Sequence, residues 1–153
     1  MKFKFELVAL LSVFILASAT SASERDYDAL FVKYGKRYGI APELLWGVAK
    51  TESDLNPLAI HSNKDGTFDV GLMQINTVHL PLLRRLGREP NDLYDPEVSV
   101  ALGAYVLSRC ISRHGFNYRA LNCYNGRALN NPYSKKVLEN IKKARAKRAK
   151  IEK

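Results

Sequence analysis

The stretch Asp95 to Gly115, DPEVSVALGAYVLSRCISRHG, constrains this chain more than any other. Asp95 is an N-cap acceptor, and Pro96 occupies the first helical position, where its missing N–H costs nothing. Glu97 puts negative charge at the positive end of the helix dipole. The spacing predicts a helix to about Arg113, stopped at Gly115. Val98, Ala101, Leu102, Ala104, Tyr105 and Ile111 give it a wide apolar face. Such a helix must be covered on several sides, so it is expected to lie at the centre of a core. With 153 residues there is material for one domain around it.

The rest of the pattern supplies the cover. Ser23 to Tyr38 reads as a helix through Ala29, Leu30, Tyr34 and Tyr38, with Gly39 as its stop. Pro42 to Ser53 reads as a second, and Thr77 to Leu86 as a short one interrupted near Pro81. Asn117 to Tyr124 is another short helix. Pro132 or Tyr133 opens the last, which runs through Val137, Ile141 and Ala144 into basic residues. Between them, Asn63-Lys64-Asp65-Gly66 is a hairpin-type turn beside TFDVGLMQIN. The expected class is mainly α, a helical single domain with one small β-hairpin.

The first residues stand apart. Met1-Lys2-Phe3-Lys4, the apolar run Leu7 to Ala17 and the string ASATSAS form the layout of a secretory signal peptide, cut after Ala19 or Ala22. Glu6 is an unusual charge there. An uncleaved anchor is the alternative, although the run falls short of about 18 residues. No other segment suits a membrane span. The expected organisation is a signal peptide at 1–22, a domain at 23–134 and a basic helix or tail at 135–153.

Export places Cys110 and Cys123, the only cysteines, in an oxidising compartment, and a disulfide between them is expected. Closing so short a loop stabilises by about 3 kcal/mol at most. His61, His79 and His114 are too scattered to propose a metal, and no cofactor is expected. The net charge is +9, and Lys135 to Lys153 holds nine Lys/Arg against two Glu, or +7 of it. The body is therefore nearly neutral, without a basic groove for nucleic acid, and export argues against that partner as well. The tail suits a polyanionic wall, anionic lipid or an acidic partner, or is simply a solvated terminus.

One residue does not fit a purely structural reading. In the helix opened by Pro42, Leu45, Val48 and Ala49 make one apolar face, and Glu52 falls on that same face just before Asn56-Pro57. A carboxylate there loses hydration, which disfavours its charged form. It can stay protonated near neutral pH and act as a general acid. An isolated Glu more often escapes to solvent or pairs with a lysine such as Lys50 or Lys64, so its company decides.

That company is Glu52-Ser53 followed by Asn56-Pro57, then Gly71-Leu72-Met73-Gln74-Ile75-Asn76, and later Leu121-Asn122-Cys123-Tyr124-Asn125-Gly126. In this order the blocks resemble the lytic transglycosylases of the lysozyme-like SLT type, which cleave peptidoglycan. DLYDPEVSVALGAYVL also resembles the family's long helix. The resemblance implies a lysozyme-like fold with the hairpin at the active-site cleft, and Glu52 as catalytic acid/base. It implies that Ser53 helps orient the substrate's N-acetyl group or peptide, and that Met73 and Gln74 line the cleft. Tyr124 would place a phenol near Glu52, and Asn125 would bind an acetamido group. Small exported members are similar to this chain and are associated with type III secretion, conjugation or pilus systems. The implied partners are peptidoglycan strands in the periplasm and components of such an apparatus, with the chain expected to be a monomer.

The hairpin stretch from Asp65 to Asn76 also resembles that of animal c-type lysozymes. Asp69 lies 17 residues after Glu52, the interval between the two carboxylates of those enzymes. A retaining hydrolase needs a second carboxylate, whereas a lytic transglycosylase works with one and closes the sugar into a 1,6-anhydro ring. Many larger family members lack an acid at the Asp69 position. The helical blocks and the Tyr124-Asn125 pair resemble the transglycosylases rather than c-type lysozymes, so that outcome is expected, with hydrolysis by Glu52 and Asp69 and a non-catalytic glycan-binding module as the alternatives. Asp65, beside Gly66, reads as a turn residue.

Overall fold

The computed structural model describes residues 27–151. The expected signal peptide at 1–22 and the start of the first helix at Ser23 lie outside the described residues. Helix α1 spans Asp28–Tyr38 and closes on Gly39, whose φ of 66° is the left-handed value a helix stop favours. Helix α2 spans Pro42–Ser53. Strands β1 (Ile60–Ser62), β2 (Phe68–Val70) and β3 (Ile75–Asn76) follow, then a 3-10 turn at Thr77–His79 and helix α3 at Leu80–Arg85. A second 3-10 turn at Pro90–Tyr94 leads into α4 (Pro96–His114), α5 (Tyr118–Tyr124) and α6 (Tyr133–Ile151).

Helix α4 is the centre. The Asp95 side chain accepts from the Glu97 N–H at its start, and Val98, Ser99, Val100, Leu102, Gly103, Ala104, Leu107 and Cys110 are buried along it. It packs against α1, α5, β3 and the Pro90–Tyr94 turn. The Cys110–Cys123 disulfide is formed and joins α4 to α5. Helix α2 packs between α1 and α6. Among the described residues, no helix is long and apolar enough to cross a membrane.

Two features differ from the sequence-based expectation. The hairpin is a three-stranded antiparallel sheet, because β3 pairs with β2 in the register Asp69↔Asn76 and Val70↔Ile75. A two-residue strand has no alternation to reveal it. Pro81 does not interrupt a helix; it sits in the first turn of α3, where proline is tolerated, and the break precedes Leu80. The last helix follows the stripe read from the sequence. Tyr133, Ser134, Val137 and Ile141 are buried, and Asn140 Nδ2 donates to Thr51 Oγ1 at 3.0 Å, so α6 is docked on α2 well beyond residue 134.

Candidate active site

Glu52 is the penultimate residue of α2, where Leu45, Val48 and Ala49 are wholly buried. Asp54 and Leu55 follow with φ of 56° and 66°, a left-handed pair of non-glycine residues. Each stores about 1 kcal/mol or more of strain. The Asp54 N–H bonds back to the Ala49 and Lys50 carbonyls, while Leu55 is buried. The chain thus turns sharply away one residue after Ser53, leaving Glu52 on the helix's last turn in the wall of a cleft of about 750 Å3.

The carboxyl is held by a residue 81 positions away. Tyr133 Oη donates to Glu52 Oε1 at 2.6 Å. Burial pushes the Glu52 pKa up to about 7; the Tyr133 hydrogen bond opposes this, and the negative charge of Asp69 adds to it. The Tyr133 ring stacks on Tyr124 at 6.5 Å and 20°, and Tyr124 Oη donates to the Met73 carbonyl at 2.7 Å. Burial, reinforced by the charge of Glu52, pushes both phenols well above their ordinary range, so both remain donors.

Two asparagines fix where Tyr133 stands. Asn131 Oδ1 accepts from the Tyr133 N–H at 3.0 Å, and buried Asn122 accepts through Oδ1 from the Ser134 N–H at 2.9 Å. Asn131 Nδ2 also reaches Asn125 Oδ1 and the Arg127 carbonyl, each at 3.2 Å. The loop from Asn125 to Pro132 is thereby tied to α5, and the start of α6 is set against the end of α2.

The opposite wall is polar. Asp69 on β2 accepts from Asn63 Nδ2 through Oδ2 at 2.9 Å and from Asn76 Nδ2 through Oδ1 at 2.8 Å. Both amides also donate to Thr67 Oγ1, at 3.2 and 3.0 Å. Thr67 Oγ1 in turn donates to Asp65, which also accepts the Thr67 N–H and so closes the hairpin turn, as its position beside Gly66 implied.

The structure brings Glu52, Asp69, Gln74, Tyr124 and Asn125 to one cleft. Ser53 stands beside it with its hydroxyl donating to the Leu72 carbonyl at 2.7 Å, a tie between α2 and the loop after β2. Met73 is not where the resemblance placed it. Its side chain is 0% exposed, packed so tightly on Gly103 of α4 that a Cβ there would come within 2.8 Å of it. Only its backbone serves the site, by accepting from Tyr124. Gln74 adopts φ 47°, and its Nε2 donates to the Ala59 and Gly71 carbonyls, leaving Oε1 as the acceptor available to a ligand. Gly71 is structural: at φ 80° its missing Cβ would run into the Leu93 carbonyl. Sequence reasoning missed Tyr133 as a partner of Glu52. The available signal was its position one and two turns before Val137 and Ile141, on the buried stripe of α6. Among the described residues, no group of three or more His, Cys, Asp or Glu is placed to hold a metal ion.

A carboxyl with a pKa near 7 carries its proton in much of the population at neutral pH and is a strong base once the proton has left. That is the equipment for protonating a leaving oxygen and then deprotonating a nucleophile.

Residues 29–148 match the family model described as the transglycosylase SLT domain. The chain is 39% identical to invasion protein IagB of Salmonella typhi over 115 residues, covering 71% of this chain and 72% of that protein. It is 34% identical to a peptidoglycan-binding-like protein of Escherichia coli O157:H7 over 151 residues, with 93% and 86% covered. In fold it resembles the 70 kDa soluble lytic transglycosylase of Escherichia coli, with a TM-score of 0.57 and 24% identity. That match takes in 76% of this chain but 19% of the much longer enzyme. The matched residues run from α1 to the last turns of α6 and include both walls of the cleft, and the chain belongs to the transglycosylase SLT domain family as a lytic transglycosylase.

Proposed function

We propose that this chain cleaves the β-1,4 bond between N-acetylmuramic acid and N-acetylglucosamine in peptidoglycan, with Glu52 as its single acid/base. Protonated Glu52 gives its proton to the bridging oxygen, the C1–O bond breaks, and the N-acetyl carbonyl helps stabilise the cationic sugar. The Glu52 carboxylate then takes the proton of the C6 hydroxyl as O6 bonds to C1. The product carries a 1,6-anhydro ring, Glu52 regains its proton, and no water is consumed. The observation that carries this reading is the partly buried Glu52 carboxyl, pushed up to about 7 and aimed by the Tyr133 phenol. Gln74 Oε1 and Asn125 are assigned to the sugar's amide and hydroxyl groups. Ser53 acts on the substrate through the Leu72 loop it anchors.

A second reading, hydrolysis with Asp69 as nucleophile or ion-pair stabiliser, draws on Asp69 lining the same cleft and raising the Glu52 pKa. Product mass decides between them. Purified peptidoglycan digested by the chain yields anhydro ends, lighter by one water than reducing ends; reducing ends alone would overturn the single-acid mechanism. Glu52→Gln lowers turnover by at least about 10³-fold if Glu52 is the acid/base. Retained turnover would remove it from that role.

The setting is proposed on the same footing. The leader layout at 1–22 directs export to the periplasm, and a small domain of this kind opens the wall locally for an assembling secretion or pilus machine. Its relative's description as an invasion protein supports that setting.

A further inference from the structure

The cleft has a third wall that the mechanism leaves unused. Arg109 and Arg113 lie one helical turn apart on α4, both exposed and both lining the cleft that holds Glu52 and Asp69. Neither has an ion-pair or hydrogen-bond partner among the described residues. The acids of the cleft are already engaged on their own side: Glu52 by Tyr133, Asp69 by Asn63 and Asn76, and Asp65 by Thr67. A basic residue in the last turn of a helix offsets its dipole, which accounts for Arg113. Arg109 stands a turn further in, where that field has faded.

We infer that Arg109 and Arg113 form a subsite for carboxylates carried on the lactyl arm of the muramic acid units. This rests on the peptidoglycan reading above and specifies which part of that polymer is read. The sugar rings of the strand are neutral, and an uncharged acceptor such as Gln74 Oε1, beside the sheet, suits their amide and hydroxyl groups. Its negative charge sits on the arm, as the acidic groups of the stem peptide or, where the peptide has been removed, as the lactyl carboxylate itself. A planar guanidinium engages a carboxylate through two parallel N–H donors, and two of them one turn apart (roughly 6 Å) accept successive acidic groups or grip one from both sides. The arrangement divides the substrate between the walls, with sugars against the sheet and acids against α4.

The test compares wild type with Arg109→Gln/Arg113→Gln on three soluble glycan strands. One carries intact stem peptides, one has been stripped by an amidase to the lactyl carboxylate, and one has been stripped and then converted to the neutral lactyl amide. Each exposed arginine is expected to contribute up to about fivefold in kcat/KM, so the double variant loses about 10- to 25-fold on charged strands. The loss shrinks with added salt and falls towards nothing on neutral strands. Arg109→Lys/Arg113→Lys recovers part of it. A loss confined to stem-bearing strands assigns the subsite to the peptide, and an equal loss on stripped strands assigns it to the lactyl carboxylate. The same loss on neutral strands, or none on any strand, overturns the inference. Failure of the wild type to cleave any of the strands would instead overturn the reading on which it rests. Thermal unfolding of the variants is measured alongside, and a fall in Tm that tracks the loss of activity also counts against a binding role.

Discussion

Glu52 and Asp69 line the same cleft, yet the walls that hold them are built on opposite plans. The helical wall around Glu52 is dry: Leu45, Val48 and Ala49 lie beneath it, Tyr124 and Tyr133 stack beside it, and one phenol donates to it. The sheet wall around Asp69 is thin and polar. Only Val70 and Ile75 are buried in it, Ile60 and Phe68 are exposed, and two asparagine amides meet the two carboxylate oxygens. Two acids of similar intrinsic strength are thereby given different surroundings. Desolvation makes Glu52 hold a proton, whereas Asp69 is supplied with donors for both oxygens and acts on Glu52 through its charge.

That contrast is open to direct attack. After Glu52→Gln itself, the largest effect should come from Tyr133→Phe, which removes the hydrogen bond that lowers the Glu52 pKa. The Glu52 pKa rises above about 7, and turnover falls by one to two orders of magnitude because the carboxyl is no longer aimed. A pH–rate profile whose alkaline limb moves upward, with kcat reduced, is the expected signature. An unmoved limb would detach Tyr133 from the acid.

Next in size is a pH-dependent change in stability. Glu52 has its folded pKa raised from 4.5 to about 7, so its favourable contribution is fully present below 4.5 and is lost as pH rises through about 7. Glu52→Gln removes a group that is costly to bury charged. The variant should therefore gain stability over wild type above pH 7, by about 3 kcal/mol at most, and little near pH 4. Denaturant melts at the two pH values measure this, and equal effects at both would mean that Glu52 is not desolvated.

A smaller change is expected across the cleft. Asp69→Asn keeps the shape and removes the charge that raises the Glu52 pKa, so the alkaline limb moves downward while much of the activity remains. Loss comparable to Glu52→Gln would make Asp69 a chemical participant and erase the division of labour between the walls. Smallest is Asn131→Ala. It frees the Tyr133 N–H and loosens the loop after α5, with a stability loss of about 1 kcal/mol and a partial loss of kcat.

Much of the fold was legible because its signals are local. Proline and acidic residues at helix starts, glycine at stops and the Asp65-Gly66 turn act within a few residues of themselves, so α2 and α4 have boundaries close to those their sequences imply. Misreadings arose where the signal was too short or depended on a neighbour. Strand β3 has two residues and exists only because β2 lies beside it, whereas the Val137, Ile141 and Ala144 stripe of α6 was legible despite the charged run around it.

The site divides in the same way. The sequence by itself placed a carboxyl on the apolar face of α2, at a helix end, and the resemblance of its later blocks to known families implied an acid, a glutamine and a tyrosine near it. Only the tertiary structure decided how each is used: Tyr133 rather than Tyr124 donates to Glu52, Met73 turns into α4, the Ser53 hydroxyl is spent on Leu72, and two asparagines clamp Asp69. Backbone sterics and hydrogen bonding between near neighbours settle an element's limits. A contact across 81 residues depends on where packed helices cross, and that is set by the whole core at once.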